Sequence, residues 1–128
     1  MSANENPVNW FEIHVEDMDR AKKFYSEVLD QKLEEMQVPI GVEDLQMVAF
    51  PYVHGGINAS GALVKSSEMK PGTGGTLIYF SCEDCANEQS RVESAGGNVL
   101  QPKYQIGEHG YCAVCMDTEG NTFGLYSM

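Results

Sequence analysis

No stretch of this sequence is apolar for the roughly 18 residues that a membrane-crossing helix needs. Its opening, MSANENP, has neither the basic nor the apolar segment of a signal peptide. A cytoplasmic protein is therefore expected. Positive charge is scarce: 8 Lys and Arg stand against 19 Asp and Glu, a net charge of −11. Such a field repels phosphate backbones and anionic lipid, so no nucleic-acid partner and no membrane partner is expected. It does not fix the charge of a substrate, because a local pocket can oppose the global sign. Also missing are a nucleophile elbow, a phosphate loop and a dinucleotide fingerprint. PGTGG at 71–75 lacks the Lys-Ser/Thr of a phosphate loop and reads as a linker.

Cysteine is sparse, at 4 residues, but arranged as two CxxC pairs, Cys82/Cys85 and Cys112/Cys115. That spacing invites a zinc ribbon, whose sulfurs converge in Gly-rich turns. YCAVCM instead reads as a strand, in which residues three apart point to opposite faces. Reduced, buried thiols are expected.

The sequence does contain a clear alternation, NWFEIHVEDMD at 9–19. Phe11, Ile13 and Val15 would share one strand face, and Trp10, Glu12 and His14 the other. Asp17 or Asp19 then offers a helix cap, and MDRAKKFYSEVLDQ carries apolar residues at 18, 21, 24, 25, 28 and 29. Strands are expected at Leu33 to Val38, LQMVAFPY and SGALVKS, with turns around Pro39, Gly41, Glu43 and Asp44 and at HGG, 54–56. After the linker the order restarts: strand TLIYFSC, helix CANEQSRVESA closed by Gly96-Gly97, then NVLQPK, YCAVCMD and TFGLYSM. Glu16-Asp17 superposes on Glu83-Asp84 at an offset of 67 residues, which marks a duplicated βαβββ unit. The expected organisation is one domain, 1–128, with modules at about 8–70 and about 76–128. At that offset Trp10, Glu12 and His14 correspond to Leu77, Tyr79 and Ser81, a mixed face suited to lining a cleft.

WFEIHVEDMDRAKKFYSEVL resembles the opening of the vicinal oxygen chelate proteins, the superfamily of glyoxalase I, bleomycin and fosfomycin resistance proteins and extradiol dioxygenases. AKKFYSEVL is similar to their helix motif, MDTEGNTFGLYS to their DPxGNxxEL segment, and AGGNV to the end of their second helix. The resemblance covers essentially the whole chain. It implies an α+β fold of two tandem βαβββ modules, with a curved mixed sheet forming a cleft and helices on the outer face. It also implies a homodimer, and a divalent metal held by one His or Glu from each of four strands. Carried over residue by residue, three of those positions fall on Trp10, Leu77 and Gly124, and the fourth lies in NASGALVKS, which has no His, Asp, Glu or Cys. None is a metal ligand, so no metal and no cofactor is expected.

The candidate ligand-binding cleft comprises Trp10, Glu12, His14, Tyr79, Tyr126 and His109. Trp10 is expected partly buried beside Tyr79 and Tyr126, with Gly124 leaving room beside Tyr126. Glu12 and His14 share a face as an acid/base pair would, while His54 and His109 lie in Gly-flanked turns typical of solvated histidines. The preferred reading is a metal-free protein binding a small apolar or planar molecule between aromatic walls. The alternatives are a lyase of the lactoylglutathione-lyase type using displaced ligands such as Glu12, His14 or His109, and an accessory domain whose cleft is filled by its own side chains.

Overall fold

The computed structural model describes residues 8–38, 44–67, 69–73 and 76–128. The turn expected at Pro39, Gly41 and Glu43, the first seven residues and the Gly74-Gly75 end of the linker lie outside the described residues. Strand β1 (Trp10–His14) leads into helix α1 (Met18–Leu29), then β2 (Glu34–Glu35), β3 (Leu45–Ala49) and β4 (Ser60–Ser66). The second module repeats this order with β5 (Ile78–Ser81), α2 (Cys85–Val92), β6 (Asn98–Gln105), β7 (Tyr111–Met116) and β8 (Thr122–Ser127). The strands form two four-stranded sheets of matching order, β1-β4-β3-β2 and β5-β8-β7-β6. In each, the first strand runs parallel to the last and the other pairs are antiparallel. This is the expected α+β architecture of two βαβββ modules.

Both helices begin where the acidic pairs predict. The Asp17 carboxylate accepts the Arg20 amide at 3.0 Å, and that of Asp84 accepts the Ala86 amide at 3.0 Å. Met18, Ala21, Phe24, Tyr25 and Val28 bury the apolar stripe of α1. The helix ends two residues before the expected Gln31, because Asp30 adopts a left-handed conformation (φ 53°) and caps it. Strand β2 is shorter than Leu33 to Val38 promised. Strand β6 runs past Lys103, and its register shifts between Gln101 and Tyr104. Pro102 lies in that irregular stretch of an edge strand, where a missing N–H does least harm.

A single core spans both modules. Tyr25 of α1 lies against Phe50, Phe80 and Phe123 at ring separations of 5.7, 5.8 and 5.5 Å. Phe11 of β1 meets Phe80 of β5 edge-on at 5.8 Å, joining the sheets by side chains along the seam between their first strands. The expected faces hold: Ile13 and Val15 are buried in this core, with Phe11, Ile78, Phe80 and Cys82 packed against it. Trp10, Glu12, Leu77, Tyr79 and Ser81 on the opposite face are exposed.

Candidate functional site

Along this seam lies a cavity of about 1600 Å³ whose lining comes from both modules, including Trp10, Glu12, His14 and Tyr79. Alternation on β1 puts the first three on one face. The Trp10 indole Nε1 donates to Glu12 Oε2 at 3.2 Å, which ties the aromatic wall to the carboxylate. His14 Nδ1 is buried and has no hydrogen-bond partner among the described residues. A buried polar atom in that state is costly unless something fills the space beside it.

Two asparagines, one from each module, fix the ends of the seam. Asn121, just before β8, donates through Nδ2 to the His14 carbonyl at 2.8 Å. Asn58, two residues before β4, donates through Nδ2 to Ser81 Oγ at 3.3 Å. His14 and Ser81 close β1 and β5, so each module reaches across to the end of the other's first strand. The MDTEGN turn adds a second lock. Asp117 Oδ1 accepts the amides of Glu119 and Asn121, each at 2.8 Å, and Oδ2 accepts the Tyr25 hydroxyl at 2.7 Å. Burial and the facing Asp117 carboxylate push the Tyr25 phenol well above its usual range, so it remains a donor. Glu119 Oε1 accepts the amides of Glu16 and Asp17 at 2.9 and 2.8 Å, and Arg20 Nε donates to Oε2 at 2.7 Å. Burial alone would raise the Glu119 carboxyl, but Arg20, the two amides and Thr118 outweigh it and hold it at about 2. This lock holds the β1–α1 junction, and hence the Trp10–His14 strand, against the second module. Sequence reasoning placed this stretch in MDTEGNTFGLYS, the segment similar to DPxGNxxEL, and missed the lock.

Tyr126 and His109 lie outside the cavity lining. The Tyr126 hydroxyl donates to the His109 carbonyl at 2.5 Å, and His109 ends a short 3-10 turn, Gly107–His109, with its side chain exposed. His54 is likewise exposed in its turn. The room expected beside Gly124 is taken by Tyr79. The two are register partners, and a Cβ on Gly124 would meet Tyr79 Cγ at 2.9 Å. Trp10 is 37 % exposed, and its hydrogen bond is to Glu12 on its own strand.

The metal positions implied by the family resemblance do not fit an ion in this chain. They carry the Trp10 indole on β1, the Leu77 side chain before β5 and Gly124 on β8 beneath the Tyr79 ring. Strand β4, SGALVKS, supplies no carboxylate, imidazole or thiolate. Among the described residues no three His, Cys, Asp or Glu side chains converge as a metal site elsewhere. All four cysteines are free. Cys115 points into the core and Cys112 away from it, in register with Tyr104 and Tyr126. Burial pushes the Cys115 thiol up to about 11, and burial together with Glu88 pushes Cys82 to about 12, so both stay protonated at neutral pH.

The sequence profile of the Glyoxalase/Bleomycin resistance protein/Dioxygenase superfamily matches residues 8–125. A Mycobacterium tuberculosis protein provisionally named as a glyoxylase, CFP32, is 25% identical over 123 residues, covering 92% of this chain and 44% of its own length. The chain thus spans less than half of the curated relatives it matches, including the Mycobacterium bovis counterpart. Among solved structures, a glyoxalase I variant from Zea mays superposes with a TM-score of 0.72 at 22% identity, covering 93% of this chain and 43% of that one. TnmS3, an antibiotic binding protein from Streptomyces sp. CB03234, superposes at 0.64 with 24% identity, covering 94% of this chain and 93% of its own. A glyoxalase/bleomycin resistance protein from Albidiferax ferrireducens superposes at 0.68 with 16% identity, covering 94% and 98%. At these identities the structures share the fold.

Proposed function

Because this chain belongs to the glyoxalase/bleomycin resistance protein/dioxygenase superfamily, we propose that it binds a small planar or apolar molecule in the seam cavity without the family's metal. One observation carries this reading: the cavity wall offers aromatic surface where the family resemblance places metal ligands. Trp10 stands at one of those positions, and Tyr79 covers another at Gly124. Aromatic walls hold a planar body through area and ring contacts and need no metal. The orphaned His14 Nδ1 supplies one polar anchor for a ligand hydroxyl or carbonyl. TnmS3, whose fold this chain shares, is an antibiotic binding protein, so a binding role is compatible with this architecture.

The lyase reading with displaced ligands receives less support. Glu12 and His14 line the cavity together, but His109 stands apart from them. A second copy of the chain is the proposed partner. Tyr52, Val53 and Ile57 on the loop bordering the cavity are 64, 73 and 90 % exposed, an apolar edge that pairing would cover.

A thermal-shift screen of a small-molecule library, with metal content measured in parallel, tests the reading. A ligand that binds only the native state raises the melting temperature in a concentration-dependent way. A saturable shift by planar or apolar compounds on metal-free protein is expected. A stoichiometric, tightly held divalent ion, or no stabilisation by any compound, overturns it.

A further inference from the structure

The carboxylates of the cavity have a consequence for what fills it. We propose that the ligand is an organic cation, an amine or quaternary ammonium on a planar or apolar body, with its charge held at Glu12 beside the Trp10 indole. This rests on the reading of the cavity as a small-molecule site.

Among the described residues, the charged ones lining the cavity are Glu12, Glu88 and Lys70. Lys70 Nζ lies 3.7 Å from Glu16 Oε1, so its charge is already answered by a carboxylate outside the lining. Glu12 has no cationic partner among the described residues. Its one contact is the Trp10 indole N–H, which occupies Oε2 and leaves Oε1 free. Glu88 lines the cavity from α2, where the Cys82 thiol faces it and Arg91 Nη2 stands 3.9 Å from its Oε2. Among the described residues the lining therefore presents one carboxylate, Glu12, with no charge partner of its own.

The aromatic groups around Glu12 suit the same ligand. Phe11 and Phe80 touch across the seam on the core side at 5.8 Å. Their chain neighbours Glu12 and Tyr79 both line the cavity, and Trp10 is tied to Glu12 by its indole, while the Tyr79 ring lies over Gly124. A cation over an indole or phenol face is attracted by the ring quadrupole, and a carboxylate alongside adds a direct charge partner. A neutral ligand would satisfy the rings and leave Glu12 unanswered. An anion would meet Glu12, Glu88 and a net charge of −11. That long-range field also draws cations toward the cavity mouth, an effect that weakens as salt is added.

The test uses the fluorescence of Trp10, the only tryptophan, with three benzyl probes: benzyltrimethylammonium, its carbon isostere neopentylbenzene, and the anion phenylacetate. The expected result is saturable binding of the cation at least about tenfold tighter than the isostere, weakening with salt, and no binding of phenylacetate. Glu12→Gln should erase the preference, bringing the ratio of cation to isostere affinity close to one. Glu12 is exposed on its strand, so the variant folds. Equal affinities for cation and isostere, or an undiminished preference in Glu12→Gln, overturn the proposal and leave the small-molecule reading standing. If none of the three probes binds, the proposal falls. The broader reading falls with it only if the library screen is empty as well.

Discussion

The Tyr79 ring lies on Gly124. They are register partners on β5 and β8, and the ring occupies the space that any side chain at position 124 would need. Glycine in a strand interior weakens it, and an aromatic neighbour laid across it recovers part of the loss. Gly124→Ala should therefore destabilise the protein by about 1–3 kcal/mol through overpacking. Because Tyr79 is 45 % exposed, the strain is local and belongs to one pair. In a Tyr79→Ala background most of that cost should vanish, and a double-mutant cycle by denaturant unfolding measures the coupling. Additive effects would show that the ring does not constrain position 124.

The same contact bears on metal binding. Trp10→His restores one imidazole at a position where the resemblance implies a ligand, but Leu77 and Gly124 still offer no donor atoms, and Tyr79 covers Gly124. The variant should purify without stoichiometric divalent metal, as measured by atomic emission. Trp10 emission in the unmutated protein should ignore micromolar Mn²⁺, Ni²⁺ or Zn²⁺. Saturable quenching by any of these ions would reveal a site near Glu12 and His14 and favour the lyase reading.

The duplicated fold was legible because its signals are local. Alternation on β1 and β5, acidic caps at Asp17 and Asp84, and the stripe from Met18 to Val28 each follow from a few neighbouring residues. The site was legible only by face. That Trp10, Glu12, His14 and Tyr79 share a cavity follows from alternation and the 67-residue offset. That Tyr126 turns to the His109 carbonyl, and Tyr79 to Gly124, depends on strand register, which no local pattern carries. The Asp117–Tyr25 and Glu119–Arg20 contacts join residues 92 and 99 positions apart. One signal for them was present: a tyrosine inside a buried helical stripe must find a partner for its hydroxyl, and the acidic turn MDTEGN offered acceptors.

Pairing with a second copy is checked by sedimentation velocity. The exposed apolar edge at Tyr52, Val53 and Ile57 predicts a species of twice 14.1 kDa at micromolar concentration. Val53→Asp with Ile57→Asp places like charges on that edge at no cost to the core, so it should shift the population to monomer without lowering monomer stability. A monomer at every concentration in the unmutated protein would remove the second copy as a partner.

Glu119 should make the protein acid-sensitive. Its carboxyl is held at about 2 in the folded chain against an ordinary 4.5, so the unfolded chain binds the proton more readily. A depressed pKa contributes stability that is fully present above about 4.5 and lost as pH falls toward 2. The charge answers Arg20 and the amides of Glu16 and Asp17, and so secures the junction that positions β1. Glu119→Gln keeps the shape and removes the charge, which should cost on the order of 3 kcal/mol at pH 7. Urea unfolding of both proteins from pH 7 down to pH 2.5 checks the sign. The gap between them should be constant above pH 5 and close as the acid is added, because the unfolded unmutated chain then binds a proton that the folded chain, held at about 2, does not. No gap at pH 7 would mean that Glu119 acts by shape alone, and a gap that stays open to the lowest pH would mean that the glutamine disturbs the junction by something other than the lost charge.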